Sequence, residues 1–451
     1  MICLKFSKSM LIKALVFGFS LMPNVVFAEK NNTDDFVLNV TNVDIQASEK
    51  VSADEIIRLL PELEKQQVNV SRLSKNIQII NDMGAMNLKT QFIPQDDGSY
   101  HALVLVEDGK KDVYSVGVNN SGDDFTGNWR TSISYGNRDL SQNGDALSVA
   151  YVTSPNHLDD VHQAMVNYKV FLPKTGDSLS VGYSYSDSDM GQIADIYGLG
   201  LFAKGDSRNL GIHYQHNLKY TRAKKQIIDI GFDYKKYNGI HELRFGGMKW
   251  AAGGYEFSEN VLSLNYTDIS IGKNNVLSYT LGYSQNLKGD KEAYSNYRTG
   301  ADDMFHIVKG NVTYQHYLPS QWVLVGSLEG QFTNDDLVGT EQLGIGGMGS
   351  IRGFKSGAAS GDKGYKFSLE AYTPEIAPNS KLVLFTDIGY VFNNNYNIGE
   401  MKKELASYGL GYRFNDKNGL SITLDYAKVV KDDGVSDYYR LPWHFSLVKT
   451  F

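Results

Sequence analysis

From residue 113 to the C terminus, apolar and polar positions alternate with a period of two. Ile228, Ile230, Phe232 and Tyr234 fall on one face of a strand pattern, and Asp229, Gly231 and Asp233 on the other. Ala406, Tyr408, Leu410, Tyr412 and Phe414 stand against Ser407, Gly409, Gly411 and Arg413. Leu420, Ile422, Leu424 and Tyr426 likewise oppose Ser421, Thr423 and Asp425. Successive side chains of a strand point to opposite faces, so one face is apolar and aromatic while the other is small, polar or charged. A soluble sandwich would turn the apolar face inward and would rarely need so many strands. A transmembrane barrel turns it outward to lipid, around a polar interior. Sixteen candidate strands start near Val113, Asn128, Asp145, Val161, Asp177, Arg208, Gln226, Asn260, Asn275, His306, Trp322, Lys363, Lys381, Glu404, Gly419 and Leu441. An even number returns both ends of the barrel to one side of the membrane. The connections 172–176, 271–274, 318–321 and 415–418 read as short turns, and 187–205, 238–259, 286–305 and 333–362 as long loops. Short periplasmic turns and long external loops are the habit of outer-membrane barrels.

The stretch before the barrel has a different texture. Residues 36–46 read as a strand, and Ser52 with Glu55 forms a capping box. That box opens a helix whose Ile56, Leu59, Leu60 and Leu63 share a face. A second helix carries Leu73, Ile77 and Ile80 and stops at Gly84. Two strands, 86–94 and 100–107, flank the turn Asp96-Asp97-Gly98. Strand-helix-helix-strand-strand supplies one small core and no more. Still earlier, residues 1–28 read as a secretory signal peptide: Lys5, Lys8 and Lys13, an apolar run over 14–22, and the small-residue site Val26-Phe27-Ala28. The run is too short for a spanning helix, which takes about 20 residues, and no longer one follows. The resulting division is 1–28 leader, 29–112 periplasmic α+β domain and 113–451 barrel, with 333–362 as its long sixth loop.

The formal charge of −7 becomes −10 once the three leader lysines are removed, which argues against a nucleic-acid partner. The single cysteine, Cys3, leaves with the leader, so neither a disulfide nor thiol chemistry is expected. No phosphate loop or zinc spacing occurs, and neither cofactor nor metal is expected. Gly176-Asp177-Ser178-Leu179 spells a hydrolase-like tetrapeptide at a turn, without a supporting histidine motif. His213 and His216 are three apart, on opposite faces of a strand. An enzyme is not indicated.

Two segments carry the candidate chemistry. Gly346-Gly347-Met348-Gly349-Ser350-Ile351-Arg352-Gly353-Phe354 is a glycine-dense loop with one arginine, followed by Gly361-Asp362-Lys363-Gly364. Phe385-Thr386-Asp387-Ile388-Gly389 sets a lone aspartate in an apolar strand pattern. Alternation places Phe385, Asp387 and Gly389 on the lumen face, together with Lys366, Ser368 and Glu370 of the preceding strand. Two facing carboxylates, Glu370 and Asp387, need a cation between them, and Arg352 on a folded-in loop is the candidate. The alternative is an ordinary surface-loop arginine above solvated lumen acids. The chain ends on an aromatic, Phe451, in a strand whose alternation Lys449 interrupts.

With these segments the chain resembles the TpsB transporters of two-partner secretion, of the hemolysin secretion/activation type, within the POTRA-plus-barrel outer-membrane superfamily. The resemblance rests on the small N-terminal domain, which is similar to a POTRA domain, and on the barrel opening Ser115-Val116-Gly117-Val118-Asn119-Asn120-Ser121-Gly122. It rests equally on the loop residues Ile351, Arg352, Gly353, Phe354, Gly361, Asp362 and Gly364, and on the strand residues Phe385, Asp387 and Gly389. It implies a mainly β protein: a 16-stranded antiparallel transmembrane barrel in the outer membrane, preceded by a POTRA domain in the periplasm. It implies a loop locked by Arg352, Asp387 and Glu370, and Phe451 as an assembly signal read by the barrel assembly machinery. The partner implied is a secreted, TpsA-like exoprotein with an N-terminal secretion domain, exported through the lumen, with outer-membrane lipids around the wall. Family members usually carry two POTRA domains and a plug helix, whereas the residues here allow one such domain. An insertase that assembles other barrels, or a passive diffusion channel, are the alternatives.

Overall fold

The computed structural model describes residues 36–196, 199–245, 247–395 and 402–451, with side chains omitted for 191–196 and 199. The leader expected at 1–28 lies outside the described residues. The chain separates into two compact units, one ending at Gly109 and the other starting at Lys110.

The first unit is built from β1 (Val37–Gln46), α1 (Ala53–Leu59), β2 (Gln67–Asn69), α2 (Val70–Met83), β3 (Met86–Pro94) and β4 (Tyr100–Asp108). Its four strands lie in the order β2-β1-β4-β3, with β1 parallel to β4. The Glu55 N–H donates to the Ser52 hydroxyl at the start of α1. Ile56, Leu59, Leu60 and Leu63 are buried as their shared face requires, although α1 ends at Leu59 and Leu63 sits in a following 3-10 turn. In α2 the buried face is Leu73, Asn76, Ile79 and Ile80; Ile77 falls at its margin. Gly84 ends α2 in the left-handed region, φ 78°.

The second unit is a closed barrel of sixteen antiparallel strands. Its first wall comprises β5 (Asp112–Asn119), β6 (Arg130–Asn137), β7 (Asp145–Ser154), β8 (His157–Leu172) and β9 (Asp177–Ile196). There follow β10 (Leu199–Tyr220), β11 (Lys224–Phe245), β12 (Met248–Ile271) and β13 (Asn275–Asn286). A short helix, α3 (Lys291–Tyr297), precedes β14 (His306–Tyr317) and β15 (Val323–Phe332). The long loop carries three short strands, β16 (Leu343–Ile345), β17 (Gly353–Phe354) and β18 (Ala359–Gly361). The wall resumes with β19 (Lys363–Tyr372), β20 (Ser380–Phe392), β21 (Lys402–Asn415) and β22 (Leu420–Lys431). The two-residue β23 (Arg440–Leu441) precedes the last wall strand, β24 (Trp443–Thr450).

The face assignment follows the alternation. Ile230, Phe232, Tyr408, Leu410 and Tyr426 are exposed on the outside, whereas Asp387, Ser407 and Asp425 are buried inside. Closure joins β24 to β5 through five pairs, Ser446↔Asn119 to Thr450↔Ser115. Phe451 extends this seam by donating its N–H to the Tyr114 carbonyl at 2.8 Å. Lys449, which breaks the alternation, donates to the Asn418 carbonyl at the neighbouring turn.

Two expected loops are strands instead. The segments 187–205 and 238–259 continue the hairpins β9–β10 and β11–β12, paired as far as Ile196↔Leu199 and Phe245↔Met248. The sequence hides them for a physical reason. Nine to eleven residues suffice to cross the hydrocarbon layer, and beyond it no lipid demands an apolar face, so the alternation fades while the ladder continues. Strands β9 to β12, at 20, 22, 22 and 24 residues, therefore rise well past the membrane.

Candidate functional site: a loop anchored on the inner wall

The long loop turns back into the barrel. Three features aim it there: its short β16–β18 hairpin, glycines at its bends, and an apolar cluster. That cluster packs Leu343, Ile345, Ile351, Phe354 and Ala358 of the loop against Val391 and Leu405 of the wall and Val435 of the last loop. Gly389 of β20 leaves the space this requires: a β-carbon there would lie 2.9 Å from Ile351 Cγ1. Gly353 has φ +95° and presses against Val429 of β22, where a β-carbon would come within 2.8 Å.

At the loop's inner end, Arg352 is 4% exposed and Asp387 fully buried. The guanidinium grips Asp387 with two parallel hydrogen bonds, Nε to Oδ2 at 2.7 Å and Nη2 to Oδ1 at 2.8 Å. Its Nη1 donates to Glu370 Oε1 at 2.7 Å, and its own backbone N–H adds a bond to Asp387 Oδ2 at 3.1 Å. Ser368, on β19, donates to Asp387 and accepts from Arg352 Nη2. The guanidinium carbon stands 3.5 Å from the centroid of the Phe385 ring, a cation over an aromatic face. Bidentate charge-assisted bonds are the strongest hydrogen bonds a side chain makes, and burial leaves neither ion a solvent alternative.

The sequence did not reveal the full set. Asp425 of β22 lies 3.8 Å from Arg352 Nη1, and Arg413 of β21 binds Asp425 at 2.6 Å while reaching toward Glu370 at 3.9 Å. Tyr372 donates its hydroxyl to Glu370 at 2.7 Å. His444 of β24 accepts the Gly353 N–H on Nε2 at 3.0 Å. Arg413 and Asp425 both stand on the polar side of the alternation, which could have signalled them. His444 could not be found that way, because its partner is a main-chain group of a distant loop. Phe354 pairs with Arg440 across β17–β23, fixing the turn to the last loop.

Asp362 makes a second anchor. It is fully buried and receives Arg298 at 2.6 Å, Gln342 at 2.9 Å, and the N–H groups of Leu337 and Asn394 at 3.1 and 2.9 Å. Burial alone would push this carboxyl up, but the hydrogen bonds from Arg298, Gln342 and Asn394 outweigh it and hold it below its ordinary value. Three loops meet on this one side chain. Gly361 pairs with Leu343 within the loop, and Gly364 pairs with Gln331 and Val391 in the wall. Above, α3 packs Tyr294 with Phe257, Val261, Phe305, Leu337 and Val338 in an apolar cluster at the mouth.

The tetrapeptide at 176–179 serves the wall. Asp177 accepts from the Tyr214 hydroxyl and the Asn217 N–H, bracing a turn. His213 faces Asp229 and Asp233, whereas His216 faces Asp177.

Comparison with known proteins identifies a family. Residues 99–414 match the model of the haemolysin secretion/activation protein ShlB/FhaC/HecB. The heme/hemopexin transporter protein HuxB of Haemophilus influenzae is 23% identical over 433 residues, spanning 93% of this chain and 71% of HuxB. Among solved structures, CdiB from Escherichia coli superposes with a TM-score of 0.73 at 15% identity, over 92% of this chain and 76% of CdiB. CdiB from Acinetobacter baumannii gives 0.70 at 18% identity, over 92% and 74%. A Haemophilus ducreyi BamA lacking POTRA domains 1–3 gives 0.57 at 16%, over 92% and 85%. The matched stretch contains most of the wall and both anchors of the inward loop, and the chain belongs to the haemolysin secretion/activation family, the outer-membrane transporters of two-partner secretion.

Proposed function

We propose that the unit ending at Gly109 is a POTRA-type domain that captures an unfolded exoprotein in the periplasm, and that the barrel lumen conducts it outward in extended form. The observation that carries this reading is the loop anchored by Arg352 on Asp387 and Glu370 inside the wall. A loop held within a polar lumen by buried ions can present a fixed surface to a passing chain, and a simple diffusion channel has no use for one. Capture has a physical route. In the order β2-β1-β4-β3 the nine-residue β3 is an edge strand, and an extended client segment can add to such an edge through main-chain hydrogen bonds. Release of free energy on folding outside would draw the chain through. Phe451, paired with Tyr114 at the seam, serves as the assembly signal.

The test is a deletion of the gene followed by comparison of culture medium and outer membrane. Loss of one large protein from the medium, restored by the wild-type gene but not by a chain lacking 36–107, is the expected result. A general fall in other outer-membrane barrels would identify an insertase instead. No change in either fraction, with altered uptake of small solutes, would identify a passive channel.

A further inference from the structure

The outer face of the wall from β13 to β20 is almost without charge. Its rows follow from the ladder. Tyr283 pairs with Val308 and Val308 with Phe332, while Lys363 pairs with Phe392 and Phe392 with Lys402. Among the described residues of these strands, Lys363 is the only Lys, Arg, Asp or Glu turned outward. Lys309, Glu329, Lys366, Glu370, Lys381 and Asp387 all fall on the lumen side. A charge facing lipid is costly at the membrane midplane and nearly free at the interface, so its height matters. Lys363 opens the ten-residue β19, whose other end, Tyr372, meets a short turn. Nine to eleven residues cross the hydrocarbon layer. Lys363 therefore stands at the outer boundary of the lipid tails.

Two rings flank it there. Lys363 Nζ lies 5.5 Å from the centroid of Phe332 and 5.0 Å from that of Phe392. One row below, Tyr365 and Tyr390 stack with their centroids 5.9 Å apart. Aromatic faces attract an ammonium but do not neutralise it, and its three N–H donors still call for acceptors. Among the described residues neither Lys363 nor Lys402 has an acid within ion-pair distance. Lys402 is exposed and lies two strands along the same row, about 10 Å away at the usual strand spacing. Glu404, in the row below, lies within electrostatic reach of Lys431, and Tyr390 stands between it and β19. On the inner face the preceding residue, Asp362, is already held by Arg298 and Asn394. The start of β19 is thus gripped from within and offers a bare cation without. Outside an outer-membrane barrel, at that height, the acceptors at hand are the phosphates of lipid headgroups.

We propose that Lys363, set between Phe332 and Phe392 and assisted by Lys402, binds a phosphate of a lipopolysaccharide headgroup in the outer leaflet. The site needs only a barrel in the outer membrane and is independent of what passes through the lumen. The test uses the full chain refolded into detergent, free of membrane lipid, and mixed with lipid A. Bound lipid is counted by native mass spectrometry, and the heat-dependent gel shift confirms that each variant is folded. Wild type and Lys363→Arg should bind lipid A alike, since both keep a cation. Lys363→Gln should bind it about fivefold more weakly, the loss that one cation at an anionic surface implies. The double variant Lys363→Gln, Lys402→Gln should bind more weakly again. Lipid A stripped of its phosphates should bind the wild type as weakly as intact lipid A binds the double variant, and this comparison decides the matter even if a variant fails to fold. Inorganic phosphate should not displace the lipid. Equal binding of intact and stripped lipid by the wild type, or undiminished binding by Lys363→Gln, overturns the site. Displacement by inorganic phosphate also overturns it, in favour of a free anion. Dimers that form without lipid and vanish in Lys363→Gln would overturn it in favour of self-association through this face.

Discussion

The two units of this chain apply one rule in opposite directions. In the N-terminal unit, Leu38, Val40, Leu73, Leu88 and Val104 are buried, and its charged residues lie mostly at the surface. In the barrel, Leu384, Leu410 and Tyr408 are about half exposed, while Arg352, Asp387 and Asp425 are buried. Water surrounds the first unit, and burial of apolar area drives its folding. Lipid surrounds the wall of the second, so apolar side chains gain nothing by turning inward and main-chain pairing must close on itself. The interior left over is polar, and ions and hydrogen bonds hold what is folded into it. A core of leucines resists change everywhere. A core of ions can be released by displacing one partner.

Substitutions that exchange these environments test the contrast, the largest effect coming from a charge in the apolar core. Ile56→Asp would bury an unpaired carboxylate where exposure is now 0%. The cost, more than about 4 kcal/mol, is comparable with the roughly 3–5 kcal/mol that a single core in a unit of this size supplies. In outer-membrane vesicles the N-terminal unit should become protease-sensitive while the barrel keeps its heat-dependent gel shift. A resistant N-terminal unit would show that it does not rely on its own core.

Next comes the ionic core of the barrel. Arg352→Ala takes from Asp387 its cation and from Glu370 its nearest one, and Asp387→Ala takes from Arg352 its bidentate partner; breaking a buried pair costs roughly 3–5 kcal/mol. Either change should cut secretion without preventing insertion, and the double mutant should be little worse than either single, as coupled partners behave. Arg352→Lys should rescue poorly, because an ammonium cannot replace a planar fork that bridges two carboxylates. Strictly additive losses, measured as exported protein in the medium, would show that the residues do not act as a pair.

Leu410→Arg puts a charge on the lipid face of β21, costing up to about 2–4 kcal/mol at the membrane midplane. The unheated, compact gel band should weaken, whereas Ser421→Arg on the polar side of β22 should leave it intact. Equal effects would mean the two faces are not opposed as described.

The smallest effect belongs to the outer anchor under acid. Asp362 has its folded pKa lowered, so its stabilisation is complete above the ordinary carboxylate value, near 4, and is lost only as pH falls through the lowered value. Single-channel conductance in lipid bilayers should therefore stay constant between pH 7 and 5, and Arg298→Ala should change it at every pH in that range. A transition of the wild type near pH 6 would place control in another group.

Much of this is legible in the sequence. Thirteen wall strands begin within two residues of their expected starts and the fourth four residues early, at His157, but the sixth and eighth begin far earlier than expected, at Leu199 and Met248. Those two errors share a cause, since strand pairing outlives the lipid pattern that betrays it. Arg352, Asp387 and Glu370 could be nominated together because strand parity places two acids on one inner wall and a glycine-rich loop can reach them. His444, Arg298 and the hub at Asp362 could not, because nothing local marks which loop will meet which.

The sequence by itself determined the wall and the small core, for both follow from short-range periodicity read against a solvent: period two against lipid, period 3.6 against water. Tertiary structure alone decided what fills the lumen. Where Arg352 lands and how three loops converge on Asp362 both depend on closure of the ring. Closure is a long-range event, joining Tyr114 to Phe451, and it sets distances between segments that no local pattern encodes.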